Sequence, residues 1–387
     1  MKNVVQLLTY LDSQTGGMER QALALSTRLR SRGHHIFFIT CIHFSDLRSK
    51  RLSLIGTLGG FRVYRIPLIG GWRHLNMLLY FFGAATLLLF LRRRYTIIHA
   101  HQLYTSGVIA AMVKLLLPNK FALAKNCCGG SFGDLRYLRA LPQAERVMTM
   151  VRQRIDAFIA ISDETEHEME EEELSPVLKI PNGIDIARFK ASDISKELLK
   201  RKLHPELCGA DWVLFVGKFD PQKNIPTLIN AFAQLPRGAY LLIVGAGDMQ
   251  LQIEELVRSR GVEDRVILCG TTTNIEAYYQ AADLFVLPSK AEGSPNVLLE
   301  AMASGLPCIG SDISSISEII TDRQNGIIFG NYAKVDALAR AMAELLADPE
   351  MRARLASAAR QTMERDFSAP VITAKYEALY ARQKFPS

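Results

Sequence analysis

The chain has 387 residues, 49% hydrophobic and 22% charged, an ordinary globular composition that excludes disordered and fibrous classes. That length fits two domains of roughly 150 to 200 residues, each able to bury its own core. The net charge of +7 hides an asymmetry: residues 1–154 hold 22 Lys and Arg against 5 Asp and Glu, the remainder 24 against 34, so a front segment of +17 precedes a remainder of −10.

Apolar strand-like runs alternate with longer periodic segments from the start. A strand is expected over residues 4–9, then a loop holding Gly16-Gly17, then a helix over 19–30 that stops at Gly33. Further strands are expected over 36–40, 96–99, 121–124 and 157–161, the β-loop-α rhythm of a parallel sheet covered on both faces. A second series follows at 213–216, 240–244, 266–269, 284–287, 308–310 and 327–329. The fold class is therefore α/β, with two tandem Rossmann-like doubly wound domains. Pro181-Asn182-Gly183-Ile184-Asp185 carries a turn signature between the series. The expected divisions are residues 1–183, 184–368, and a helical tail over 369–387. Open α/β sheets bind ligands at the carboxyl ends of their strands, so a ligand is expected in the cleft between the domains.

Six cysteines, Cys41, Cys127, Cys128, Cys208, Cys269 and Cys308, show no C-x-x-C pair, and residues 1–10 begin a strand instead of a signal peptide. A reducing, cytoplasmic compartment is expected. The histidines have no metal-ligand spacing, so neither a metal nor a cofactor is expected.

Residues 75–91 form a 17-residue mostly apolar run between Trp72-Arg73-His74 and Arg92-Arg93-Arg94. A spanning helix would put the first strands across a membrane from the rest of their domain, which breaks the fold. The remaining readings are a helix buried against the sheet and a helix partly exposed to lipid, the second favouring peripheral association with an anionic membrane surface. No nucleic-acid motif accompanies the basic front half, and nucleic acid is not expected as a partner. Glu168 and Glu170 to Glu173 are expected on a solvated helix face.

The most informative stretch is Glu292-Gly293-Ser294-Pro295-Asn296-Val297-Leu298-Leu299-Glu300. Ser294 followed by Pro295 reads as an N-cap with proline at the first helical position, placing Glu292 in a loop and Glu300 inside a helix. About 7.5 Å of helical rise separates Pro295 from Glu300, so two carboxylates flank the free amides of a helix start, which favour anionic ligands. A sugar nucleotide has this layout, with ribose and hexose at its ends and diphosphate between. Lys218 and Lys223 follow the first strand of the second domain, where they can neutralise charge growing on a leaving diphosphate. Gly17 lets backbone approach a ligand closely. Gly245-Ala246-Gly247-Asp248 lacks the third glycine of a dinucleotide fingerprint and reads as a tight turn. Of His99 and His101, one is expected to pack and the other to reach the ligand.

These residues together resemble the family-4 retaining glycosyltransferases of the GT-B fold, also grouped as glycosyltransferase group 1. The resemblance rests on His99-Ala100-His101, Pro181 to Asp185 with Phe189, Gly217-Lys218 with Lys223, and the Glu292 to Pro307 stretch, and it covers nearly the whole chain. It implies that Glu300 holds the ribose hydroxyls and Glu292 those of the donor sugar. Gly293, Ser294, Pro295, Asn296 and Val297 would bind sugar and phosphate, and Lys218 and Lys223 would clamp the diphosphate. Thr272 would lie near the base, whose contacts are largely backbone, so UDP is one expected nucleotide and the base itself stays open. Gly17 would lie beside diphosphate and acceptor, and His101 near the reacting carbon, so His101, Glu292 and Lys223 are the candidate catalytic residues. Position 218 is more often arginine in the family, so a point charge here replaces a bidentate fork.

The implied reaction moves a hexose to a hydroxyl acceptor, such as a lipid-linked glycan in cell-surface polysaccharide or glycolipid synthesis. It proceeds with retention and without metal, and the leaving phosphate helps deprotonate the acceptor. The chain departs from the family at Lys125 to Asp134, where many relatives carry a histidine-glycine. Lys125 and Asp134 are read as able to meet the acceptor. The tail helix would return to the first domain with Tyr376 and Tyr380 on one face. Two other functions are weighed, a sugar-nucleotide epimerase on the same scaffold and an inactive partner subunit of a glycan assembly complex.

Overall fold

Sheets whose strands are apolar on both faces must be covered on both sides, and both sheets of this chain are built that way. The computed structural model describes residues 1–11, 16–49, 51–69, 73–127, 133–141 and 143–382. The chain divides into two units, Met1–Gly183 with the segment from Ile372 onward, and Ile184–Val371.

The first unit holds β1 (Asn3–Tyr10), β2 (His35–His43), β3 (Ile55–Leu58), β4 (Phe61–Leu68), β5 (Ile97–Ala100), β6 (Phe121–Lys125), β7 (Ala157–Ala160) and β8 (Val177–Lys179). Their order is β3-β4-β2-β1-β5-β6-β7-β8. Every neighbouring pair is parallel except β3 and β4. Central β1 pairs Val4 with Ile36 on one side and with Ile97 on the other.

The β3–β4 hairpin and β8 are absent from the sequence expectation. Gly59 and Gly60, at φ +57° and +80°, make the two-residue turn with both centres left-handed that twisted hairpins prefer. Arg62, Arg65 and Pro67 interrupt the apolar run of β4. Arg65 is nonetheless buried and donates to the Ser53 carbonyl at 3.0 Å, so its stem packs inward while its head is satisfied by backbone.

The second unit holds β9 (Asp211–Val216), β10 (Ala239–Val244), β11 (Val266–Gly270), β12 (Leu284–Leu287), β13 (Cys308–Gly310) and β14 (Ile327–Ile328), in the order β11-β10-β9-β12-β13-β14. All pairs are parallel. Trp212, Phe215, Phe232 and Phe285 are fully buried around this sheet.

The last helix, Ala369–Ala381, joins the first unit from Ile372 on. Ile372, Tyr376, Leu379 and Tyr380 pack on Val4, Ile97, Leu123 and Ile159 of its sheet, and Glu377 takes an ion pair from Arg32 and lies 3.5 Å from the His34 ring nitrogen. Two acidic-run residues depart from expectation: Glu172 is buried, its carboxylate held by Arg139 and Arg152, and Glu168 is half-buried with Oε2 shut off from solvent.

Candidate functional site

Strand order in the second unit reverses between β9 and β12, since the chain winds outward from β9 through β10 to β11 and then returns to β12 on the other side. Loops after the two strands part at such a point and leave a crevice at their carboxyl ends. The loop after β9 carries Lys218 and Lys223; the loop after β12 carries Glu292. Parallel pairing sends both loops to the same edge.

They are tied together there. The Lys223 ammonium bonds both Glu292 carboxylate oxygens at 2.6 and 2.8 Å, and the Ser289 hydroxyl donates to Oε1 of Glu292 at 2.6 Å. Lys290 N–H donates to the Gln222 carbonyl, and the Asn224 amide to the carbonyls of Pro288 and Tyr332. Asp220 caps the short helical turn Pro221–Lys223 through the amides of Gln222 and Lys223. Lys218 stands exposed on the same loop.

The helix after β12 runs Asn296–Ala303, with Pro295 in the cap position and no side-chain cap. The expected start, Ser294 capping and Pro295 in the first turn, is one residue early. Pro295 has ψ of 81°, outside the helical well, and Asn296 N–H turns back onto the Ser294 carbonyl at 2.9 Å. Gly293 and Val297 bracket this turn. Glu300 lies inside the helix, nine-tenths buried, and accepts the Tyr279 hydroxyl at 2.9 Å.

Two glycines let the β10 loop close on the lysine loop. A Cβ on Gly245, at φ +148°, would stand 1.9 Å from the Gly217 carbonyl oxygen, and one on Gly247 would stand 2.5 Å from that of Phe219. The tight turn expected there is a backbone approach that no side chain allows. Thr272 follows β11 and accepts the Asn274 amide at 3.0 Å, a local turn.

The first unit reverses its strand order between β1 and β5. Gly17 opens the helix Gly17–Ser31 after β1, and His101 follows β5. His99 packs as expected, and His101, expected to reach the ligand, is buried beside it. Their rings stack 4.3 Å apart, with His101 Nε2 on Gln6 Oε1 at 2.6 Å and His99 Nδ1 on the Tyr380 hydroxyl at 2.8 Å. Desolvation, with the nearby Lys125 charge, pushes His99 down to about 3. Desolvation, His99 and Lys125 push His101 well below its ordinary value. Both rings are neutral at physiological pH.

Lys125 and Asp134, read as able to meet the acceptor, are both engaged by groups of the first unit. The Lys125 ammonium is buried against Asn182 Oδ1 at 3.0 Å. Asp134 is buried and accepts the amides of Leu103 and Cys127; desolvation raises it to about 6. Residues 128–132 of the loop between them lie outside the described residues. Gln6, Ser289 and Asn224 were missed. Gln6 had a signal, a lone amide inside the apolar run Val4-Val5-Gln6-Leu7-Leu8; Ser289 and Asn224 had none, because their partners lie far along the chain.

Residues 15–188 match the profile described as Glycosyltransferase Family 4, and residues 201–362 the profile described as Glycosyl transferases group 1. The chain belongs to this glycosyltransferase family. N-acetyl-alpha-D-glucosaminyl L-malate synthase of Bacillus anthracis is 26% identical over 294 residues, 75% of this chain and 75% of that protein. The lipopolysaccharide core biosynthesis glycosyltransferase LpsE of Rhizobium meliloti is 32% identical over 169 residues, 44% of this chain and about half, 49%, of its own length. Among solved structures, Anabaena HepE in complex with UDP superposes with a TM-score of 0.80 at 19% identity, covering 99% of this glycosyltransferase and 100% of that chain. That likeness concerns the fold, which is GT-B.

Proposed function

We propose that the chain transfers a sugar, with retention and without a metal or cofactor, from a nucleotide diphosphate sugar to a hydroxyl acceptor in surface polysaccharide or glycolipid synthesis. The observation that carries this reading is the Lys223–Glu292 pair at the switch point of the second sheet, with Lys218 exposed beside it. Relatives that act in lipopolysaccharide core synthesis and a fold neighbour solved with UDP support it.

In this reading Lys218 and Lys223 stabilise the charge of the departing diphosphate, as preorganised cations do in a partly desolvated site. Gly293 to Val297 offer backbone at the helix start, where anions are favoured. Glu292 holds donor-sugar hydroxyls once Lys223 turns to phosphate, Glu300 holds the ribose, and Thr272 stands on the base side. The first unit takes the acceptor, with Gly17 and His101 at its own switch point. The neutral His101 ring serves as a hydrogen-bonding group rather than a cation. The leaving phosphate accepts the acceptor proton, so both bonds to the anomeric carbon lie on one face and configuration is kept.

Glu300→Ala and Lys223→Ala should each lower turnover of a sugar nucleotide at least tenfold; near-normal turnover in both overturns the assignment. Product NMR should show the donor's anomeric configuration, and excess EDTA should leave the rate unchanged. Incubation with sugar nucleotide alone should leave the sugar unaltered, whereas an epimerase would change it.

A further inference from the structure

Glu300 is a carboxylate on a helix whose other residues from Leu298 to Ala303 are apolar and fully buried. Packing alone favours one more apolar side chain there, because a buried carboxylate loses its hydration. Its Oε2 accepts the Tyr279 hydroxyl at 2.9 Å, and Tyr279 comes from the helix Ile275–Ala281 that precedes β12. The tyrosine is 1% exposed. Phe189 and Phe285 meet its ring edge-on, with centroids 6.0 and 5.9 Å away, and a ring packed against two others holds its hydroxyl in place. One guanidinium braces both ends of this contact. Arg360 donates to the carbonyls of Ile186 and Phe189 at 3.1 and 2.7 Å, and to that of Ala303, the last residue of the helix that carries Glu300.

We propose that Tyr279 is a positioning residue for the donor ribose, fixing the direction of the Glu300 carboxylate, with Phe189 backing its ring. The role of Tyr279 rests on Glu300 holding the ribose, as proposed for the reaction. A phenol donates one hydrogen bond and carries no charge, so it orients a carboxylate without neutralising it. The negative charge stays available to ribose hydroxyls, which bond more strongly to a charged acceptor than to a neutral one. In a sugar nucleotide the diphosphate separates the ribose from the reacting carbon. A group that acts through the ribose therefore contributes binding that ground state and transition state share, and shows in KM more than in kcat.

Calorimetry on Tyr279→Phe, which keeps the ring, tests this with whichever of UDP, GDP and ADP the wild type binds most tightly. The variant should bind that nucleotide about fivefold more weakly or worse, and should bind inorganic pyrophosphate, which has no ribose, as the wild type does. KM for the corresponding sugar nucleotide should rise by the same factor, with kcat kept within about twofold. Glu300→Gln should show the same ribose-dependent loss, and the double variant should bind no more weakly than Glu300→Gln alone, because the two side chains act as one unit. Wild-type nucleotide binding by Glu300→Gln overturns the ribose reading and the role of Tyr279 with it. A loss in Glu300→Gln beside wild-type binding in Tyr279→Phe overturns the role of Tyr279 alone. Equal losses for nucleotide and pyrophosphate in Tyr279→Phe make the tyrosine a packing residue of the fold and also overturn it.

Discussion

The Tyr380 hydroxyl meets Nδ1 of His99 at 2.8 Å, although 281 positions separate them. The Tyr376 ring lies 5.4 Å from the same imidazole, and His99 in turn stacks on His101. The tail helix therefore fixes the ring against which the candidate site histidine rests. Tyr380→Phe keeps the aromatic volume and leaves His99 Nδ1 buried without its partner, while Nε2 already has none. Stranding a buried polar group costs about 1–3 kcal/mol. Denaturant unfolding should show a loss of that size, and a change under about 0.5 kcal/mol would mean the contact is incidental.

Glu292→Gln separates the two tasks given to that carboxylate. In the ligand-free chain it holds the Lys223 ammonium with both oxygens; with donor bound it is assigned to sugar hydroxyls. The neutral amide releases Lys223, so calorimetry should show a nucleoside diphosphate binding as tightly as to wild type or tighter. Turnover of the sugar nucleotide should fall at least tenfold. A parallel loss of both would assign Glu292 to loop structure alone.

Gly245→Ala should destabilise the second unit by about 3 kcal/mol or more, because a methyl 1.9 Å from the Gly217 carbonyl forces the lysine loop to move and φ is already unfavourable for a side chain. Gly261→Ala is the control. It too has positive φ, at +63°, but nothing stands within 4 Å of its Cβ, so its cost should stay near 1 kcal/mol. Equal melting temperatures in the two variants would refute the close approach.

Acid stability should carry opposing signs from one cluster. His99, at about 3, and His101 are held below the ordinary 6.5, so the unfolded chain binds more protons and stability falls as pH drops through 6.5. Asp134, at about 6, lies above its ordinary 3.8. The folded chain then holds one extra proton between about pH 4 and 6 and offsets part of that loss. Asp134→Asn removes the offset. Unfolding free energy measured across that window should fall with acid more steeply than in wild type, by about 1.4 kcal/mol per pH unit; an unchanged slope would show Asp134 titrating normally.

Much of the fold was legible because strands buried on both faces read as short continuous apolar runs, and Leu284–Leu287 and Cys308–Gly310 carry that pattern to their exact ends. The β3–β4 hairpin was not, because its Gly59-Gly60 turn joins a short exposed strand to one broken by Arg62 and Arg65. The helix start at Asn296 differed by one residue because ψ at Pro295 answers to the loop it leaves, which residue preference does not record.

The sequence by itself determined the donor half: Lys218, Lys223, Glu292 and Glu300 lie near strand ends in one local β-loop-α grammar, so their common edge follows from parallel winding. Only the tertiary structure decided what those groups touch. It closed Lys223 onto Glu292, and it buried His101, Lys125 and Asp134 against Gln6, Asn182 and the Leu103 amide. Those partners lie 31 to 95 positions away, and a buried charge or imidazole takes whatever partner the packed sheet brings within reach, since leaving it without one costs more than any local preference supplies.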